Sequence, residues 1–105
     1  MMGKTVYNKL VRDKIPNIIS AQGKTASVSV LSPSDFEEQL KRKLLEEVHE
    51  FLESGETMEL VDIYQVILAI LEERGISFSA FARLQQQKAD LNGEFKRRLF
   101  LHFVE

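Results

Sequence analysis

Apolar side chains recur every three or four residues along most of the chain, a spacing that is typical of helices with one buried face. Start and stop signals divide this pattern into four segments. The first helix is predicted at residues 13–22, and the second runs from the capping box of Ser34 and Glu37 to about residue 53. The third follows the turn at residues 54–57 and ends at Gly75. The fourth runs from Ser77 toward residues 92–93. The predicted fold is all-α, an antiparallel helical hairpin or bundle of about four helices.

Two segments do not follow the helical spacing. Residues 25–31 alternate apolar and polar side chains, which is the period of an exposed or half-buried strand, or of an extended connector. The final residues, FKRRLFLHFVE, fit no single pattern. We expect them to form a short extended segment that packs on the helices.

Two pairs of carboxylates lie in the second and third predicted helices. The members of each pair are three residues apart, which places them on one face of a helix. Residues at the same level of an antiparallel hairpin have a constant sum of residue numbers. If the hairpin turns near residues 54–55, this rule pairs Glu50 with Glu59 and Glu47 with Asp62. All four carboxylates are therefore expected to converge between the two helices.

The third helix favours a cation between these carboxylates. From Leu60 to Leu71 only Asp62 and Gln65 lack a mainly apolar side chain, so the helix is expected to be buried on nearly all sides. A buried carboxylate has to be protonated, paired or bound to a cation, and four together would repel one another. A hard divalent ion such as Mg²⁺, which prefers oxygen ligands, removes this conflict. The alternative is a solvated acidic face with one paired aspartate.

Length, charge and cysteine content narrow the class of protein. A single domain over residues 1–105 is predicted, and a homodimer or homotetramer would help to cover its third helix. The formal net charge of −2 argues against a broad basic surface for a nucleic-acid polymer. The absence of cysteine excludes disulfides and thiolate chemistry and favours a cytoplasmic location. The N-terminal residues lack the apolar run of a secretory signal, and residues 60–71 are too short for a bilayer span, so no membrane partner is expected.

The acidic motifs EEVHE (residues 46–50) and ELVD (residues 59–62) resemble the EExxE…ExxD pattern of the MazG-like, all-α nucleoside triphosphate pyrophosphohydrolases. The opening segment YNKLVRDKIPNII and the late K-x-x-x-x-G-x-F, from Lys88 to Phe95, resemble a short subgroup labelled phosphoribosyl-ATP pyrophosphohydrolase-like. The resemblance spans nearly the whole chain. It implies hydrolysis of a nucleotide between the α and β phosphates, with Mg²⁺ or Mn²⁺ required, to give the monophosphate and pyrophosphate.

The resemblance also implies roles for individual side chains. The metal ligands would be Glu47, Glu50, Glu59 and Asp62. Glu46, the first acid of the first motif, would orient or deprotonate the attacking water. A triphosphate carries more negative charge than one divalent ion offsets among four carboxylates, so further cations are expected beside it. The phosphate-binding candidates are Lys9, Arg12 and Lys14 of the basic segment 4–14 and Lys88 of the last helix, of which the resemblance favours Arg12 and Lys88.

Other hypotheses fit the same helices. Asn92 stands where many family members carry an arginine, which favours a non-catalytic helical module that senses a nucleotide or a partner. A purely structural interaction protein predicts that a chelator leaves thermal stability unchanged. A di-iron site is disfavoured, because the E-x-x-H spacing of Glu46 and His49 is not repeated: Leu99 lies three residues before His102.

Overall fold

The computed structural model describes residues 3–105, so the first two residues of the predicted domain lie outside the described residues. It contains four α-helices, which are α1 (Ile15–Ala21), α2 (Pro33–Ser54), α3 (Thr57–Glu73) and α4 (Phe78–Asn92). No β-strand occurs among residues 3–105. The predicted all-α fold with four helices is confirmed.

The centre of the fold is an antiparallel hairpin of α2 and α3, which pack along each other. Gly55 ends α2 with a φ of 67°, and its N–H donates to the Phe51 carbonyl at 2.8 Å. This left-handed conformation is one that glycine adopts without steric cost. Since α3 begins at Thr57, only two residues connect the helices. The predicted turn near residues 54–55 is confirmed.

Serine side chains cap two helices, one as predicted and one not. Ser77 Oγ accepts a hydrogen bond from the Ala80 N–H at 3.2 Å, as expected for α4. At α2, however, the N-cap is Ser32, whose Oγ accepts from the Asp35 N–H at 3.3 Å. The predicted capping box with Ser34 at its start is therefore wrong. Pro33 suits the first helical position because its φ is fixed, and α2 begins there.

The extended segments lie outside the helical body. Residues 24–32 form no strand, and Val30 of this connector is 101% exposed. All residues from 90 to 105 are exposed. The last residues are extended, as expected, but the prediction that they pack on the helices of their own chain is wrong.

The apolar core of the single chain is small. Leu40 of α2 and Val66 and Leu71 of α3 are its buried apolar residues. The prediction that α3 is buried on nearly all sides is wrong for the single chain, because α2 covers only one side of it. Leu60 and Tyr64, for example, remain about half exposed. None of the helices in the described residues has both the length and the apolar character needed to cross a membrane.

Candidate metal centre

Three of the four predicted metal ligands come together between α2 and α3. One carboxylate oxygen from each of Glu47, Glu50 and Glu59 lies within 4.8 Å of the other two. Glu47 and Glu50 are one turn apart on α2, and Glu59 lies in the first turn of α3. Two oxygens on opposite sides of Mg²⁺ are about 4 Å apart, at ligand distances of roughly 2.0–2.1 Å. The three carboxylates, hereafter the acidic cluster, therefore need only small side-chain adjustments to share one ion.

Glu47 provides the most direct test of whether a cation fits. Glu47 is only 7% exposed, and its Oε2 atom is buried with no hydrogen-bond partner among residues 3–105. Its Oε1 atom lies 3.4 Å from Lys43 Nζ. Burial and the neighbouring Glu50 carboxylate raise the pKa of Glu47, although Lys43 acts in the opposite direction. A buried oxygen that lacks a donor is costly, and a bound cation would supply the missing partner.

Asp62 is not part of the acidic cluster, contrary to the expectation that all four carboxylates converge. Its Oδ1 atom accepts a hydrogen bond from Arg12 Nη2 at 2.6 Å. Arg12 comes from the extended segment before α1, and the guanidinium holds Asp62 as an ion pair beside the cluster. The structure thus places one predicted phosphate-binding residue against one predicted metal ligand.

Glu46 is the second acid that the basic segment reaches. Lys9 Nζ lies 3.2 Å from Glu46 Oε1, and Lys43 Nζ lies 3.4 Å from Glu46 Oε2. Partial burial alone would raise the pKa of Glu46, but the two ammonium groups outweigh burial and hold the pKa below its usual value. Glu46 is therefore an ionised carboxylate at neutral pH, with its oxygens engaged by two cations.

The lysine side chains at the site differ from those that the sequence predicted. Within residues 3–105, neither Lys14 nor Lys88 forms an ion pair with an acidic side chain, although both were phosphate-binding candidates. Lys43 was not predicted, yet it contacts both Glu46 and Glu47. The sequence could have predicted these contacts, because Glu46 and Glu47 follow Lys43 by three and four residues, and residues at these spacings are neighbours on a helix.

The site combines a group of carboxylates with the positively charged side chains of the basic segment. The acidic cluster concentrates negative charge between two helices, a setting that suits a hard divalent cation. Lys9 and Arg12 pair with Glu46 and Asp62, the acids that neighbour the cluster along α2 and α3. Ammonium and guanidinium groups are side chains that bind phosphate oxygens. A metal-bound phosphate group is the ligand that matches both parts.

Replacing Arg12 with alanine is expected to lower the free energy of unfolding by less than about 1 kcal/mol, because both partners of the ion pair remain partly exposed. Loss of this positive charge beside the acidic cluster should tighten Mg²⁺ binding. Calorimetric titration and thermal melts would measure both effects. Lys4→Ala, which removes another charge of the same segment, is the control. Weaker Mg²⁺ binding by R12A would contradict this interpretation and show that Arg12 is needed to organise the site.

Comparisons of the chain with models of protein families, with curated proteins and with solved structures find no match. Function therefore has to be inferred from the side chains themselves. The relevant features are the acidic cluster, the unpartnered oxygen of Glu47, and the cations that reach Glu46 and Asp62.

Proposed function

We propose that the chain is a Mg²⁺-dependent nucleotide pyrophosphohydrolase, which cleaves a nucleoside triphosphate or a related nucleotide between the α and β phosphates. The acidic cluster carries the proposal, because it contains a buried carboxylate oxygen that has no hydrogen-bond partner in the part of the chain that the structure describes. The resemblance of EEVHE and ELVD to the motifs of MazG-like enzymes supports the same reaction. The products would be the nucleoside monophosphate and pyrophosphate.

The acidic cluster would hold the ion, with Asp62 as a fourth carboxylate beside it. Bound Mg²⁺, or Mn²⁺ in its place, supplies charge neutralisation at the phosphates and lowers the pKa of a bound water. Glu46 precedes Glu47 on α2 and is ionised. We assign to Glu46 the orientation or the deprotonation of the attacking water.

The basic segment would bind the phosphates. Lys9 and Arg12 already lie at the edge of the site, where their donors are held by Glu46 and Asp62. The same donors can bind phosphate oxygens, and a guanidinium can do so with two parallel hydrogen bonds. Lys14 and Lys88 remain candidates for phosphate binding, but among the described residues neither forms an ion pair with the acidic cluster.

A substrate panel tests this proposal. The full chain, with Mg²⁺, would be incubated with nucleoside triphosphates, deoxynucleoside triphosphates and modified nucleotides, and pyrophosphate and monophosphate would be quantified. We expect equimolar release of both products from at least one nucleotide, and its loss when a chelator is added. No turnover on any nucleotide, together with no Mg²⁺ binding by calorimetry, would refute the proposal.

Asn92 favours a second candidate function, a non-catalytic module that senses a nucleotide or a partner. This residue ends α4 and is exposed, and it offers no positive charge where many MazG-like enzymes have an arginine. Tight nucleotide binding without hydrolysis would support this alternative. Steady turnover in the same assay would exclude it.

We also propose that the protein is a homodimer or homotetramer. The exposed apolar residues of α3 support this, because a second copy could cover the side that α2 leaves open.

A further inference from the structure

The single chain exposes far more surface than a compact protein of the same mass. Its accessible surface is 9841 Å², whereas a compact monomer of 12.1 kDa exposes about 6,000 Å². Its radius of gyration is 18.6 Å, compared with about 13 Å for a compact domain of this length. The excess of about 3,800 Å² exceeds the roughly 1,000–2,500 Å² that each partner buries in an obligate dimer.

One segment that adds to this excess is the C-terminal arm, which we define as residues 94–105 and in which every residue is exposed. The arm leaves α4 after Gly93, and one turn near its start is closed by the Arg98 N–H, which donates to the Phe95 carbonyl at 3.1 Å. Its large apolar side chains are all exposed; they are Phe95, Leu99, Phe100, Leu101, Phe103 and Val104. Such a run of apolar side chains is expected to be covered in the functional protein.

A second exposed apolar surface lies on the last two helices. Tyr64 of α3 and Phe78, the first residue of α4, pack edge to face with ring centroids 6.3 Å apart, so the exposed apolar side chains of the two helices meet at this pair. This α3–α4 surface is defined by the exposed side chains Leu60, Val61, Tyr64, Phe78, Phe81 and Leu84. The chain's own C-terminal arm does not cover it, because every residue of the arm is itself exposed.

We propose that the C-terminal arm of each chain packs on the α3–α4 surface of a second copy, so that two copies exchange arms. One chain carries both the apolar arm and the apolar surface, so a reciprocal exchange about a two-fold axis satisfies both copies. Charge is complementary as well. The arm carries Lys96, Arg97 and Arg98, whereas α3 ends in the exposed acids Glu72 and Glu73. This inference does not depend on the proposed enzymatic activity.

Hydrogen exchange of the unmodified full chain tests the proposal together with light scattering. We expect a molar mass that is a multiple of 12.1 kDa and slow exchange of the backbone amides of residues 99–104. A monomer would overturn the proposal, as would an oligomer whose arm exchanges freely. In either case the arm would be available to a different occupant, such as a lipid surface or another protein.

A pair of variants then separates arm exchange from other modes of association. The double substitution F100D/F103D should convert the protein to a monomer, because it places two charges in the apolar part of the arm. Asn17→Asp, which adds one negative charge at an exposed position of α1 outside the arm, is the control and should keep the mass of the unmodified protein. If F100D/F103D retains the mass of the unmodified oligomer, the arm does not hold the copies together and the proposal is wrong.

Discussion

Replacing Glu47 with glutamine is expected to abolish Mg²⁺ binding and, at the same time, to raise the thermal stability of the metal-free protein. The glutamine side chain keeps the shape of Glu47 but removes a buried negative charge that has one unpartnered oxygen and an acidic neighbour. An unsatisfied buried acceptor costs about 1–3 kcal/mol, and a charged one costs more. A gain of about 1 kcal/mol corresponds to an increase of roughly 4–8 °C in Tm for a domain of this size.

The sign of this effect depends on pH through the pKa of Glu47. The pKa is raised above 4.5 in the folded chain, so the folded state retains a proton that the unfolded state has already lost. Stability therefore falls as the pH rises through this window, and the destabilisation is complete once the pH exceeds the folded-state pKa. The advantage of E47Q should accordingly be seen near pH 7 and disappear in acid, below the pKa of the unfolded chain.

Thermal melts at fixed protein concentration, with Mg²⁺ and with a chelator, would measure both parts of the prediction. The unmodified protein should gain stability from Mg²⁺, whereas E47Q should not. Glu53→Gln is the matched control, since Glu53 is an exposed acid on the same helix and lies outside the acidic cluster. A lower Tm for metal-free E47Q would contradict the predicted gain in stability, and an undiminished response to Mg²⁺ would show that Glu47 is not a cation ligand.

Glu50→Gln and Asp62→Asn are each expected to reduce pyrophosphate release by at least about 100-fold. Loss of a residue that supports a metal ligand typically costs 10–100-fold, and loss of a ligand should cost no less. The causes differ between the two variants. E50Q removes a member of the acidic cluster, whereas D62N removes the charge that pairs with Arg12.

The response to metal concentration should distinguish these causes. Activity of E50Q should partly return at high Mg²⁺, because its defect is weak binding of the ion. Activity of D62N should depend less on Mg²⁺ and more on nucleotide concentration, since Arg12 loses its partner. Steady-state rates over a grid of both concentrations would resolve the two patterns, with E53Q as the control. Unchanged rates in both variants would refute the assignment of these carboxylates to the site.

The helices were predictable because their limits are set by local signals. Gly55, Gly75 and Ser77 each mark a helix end or start through their own backbone or side chain, and the structure has the helices begin and end there. The convergence of Glu47, Glu50 and Glu59 was also predictable, because a short turn fixes which residues face each other. The N-cap of α2 was missed by two residues, since Pro33 offered an earlier start than the capping box.

The features that were not predictable depend on long-range contacts. Arg12 and Asp62 are fifty positions apart, and no periodicity relates the extended segment before α1 to a carboxylate of α3. Burial of α3 was overestimated for a related reason. Its apolar composition indicates that it will be covered, but composition does not say whether the cover comes from the same chain or from another molecule.

The two-residue connection between α2 and α3 has a consequence for how such a site is encoded. One added residue in this connection would rotate the start of α3 by about 100° relative to α2, which would carry Glu59 away from Glu50 while both helices kept their apolar faces. The interval between positions 50 and 59 thus belongs to the ion-binding signature as much as the acids do. A distant relative should be sought by holding that interval constant, whatever side chains occupy it.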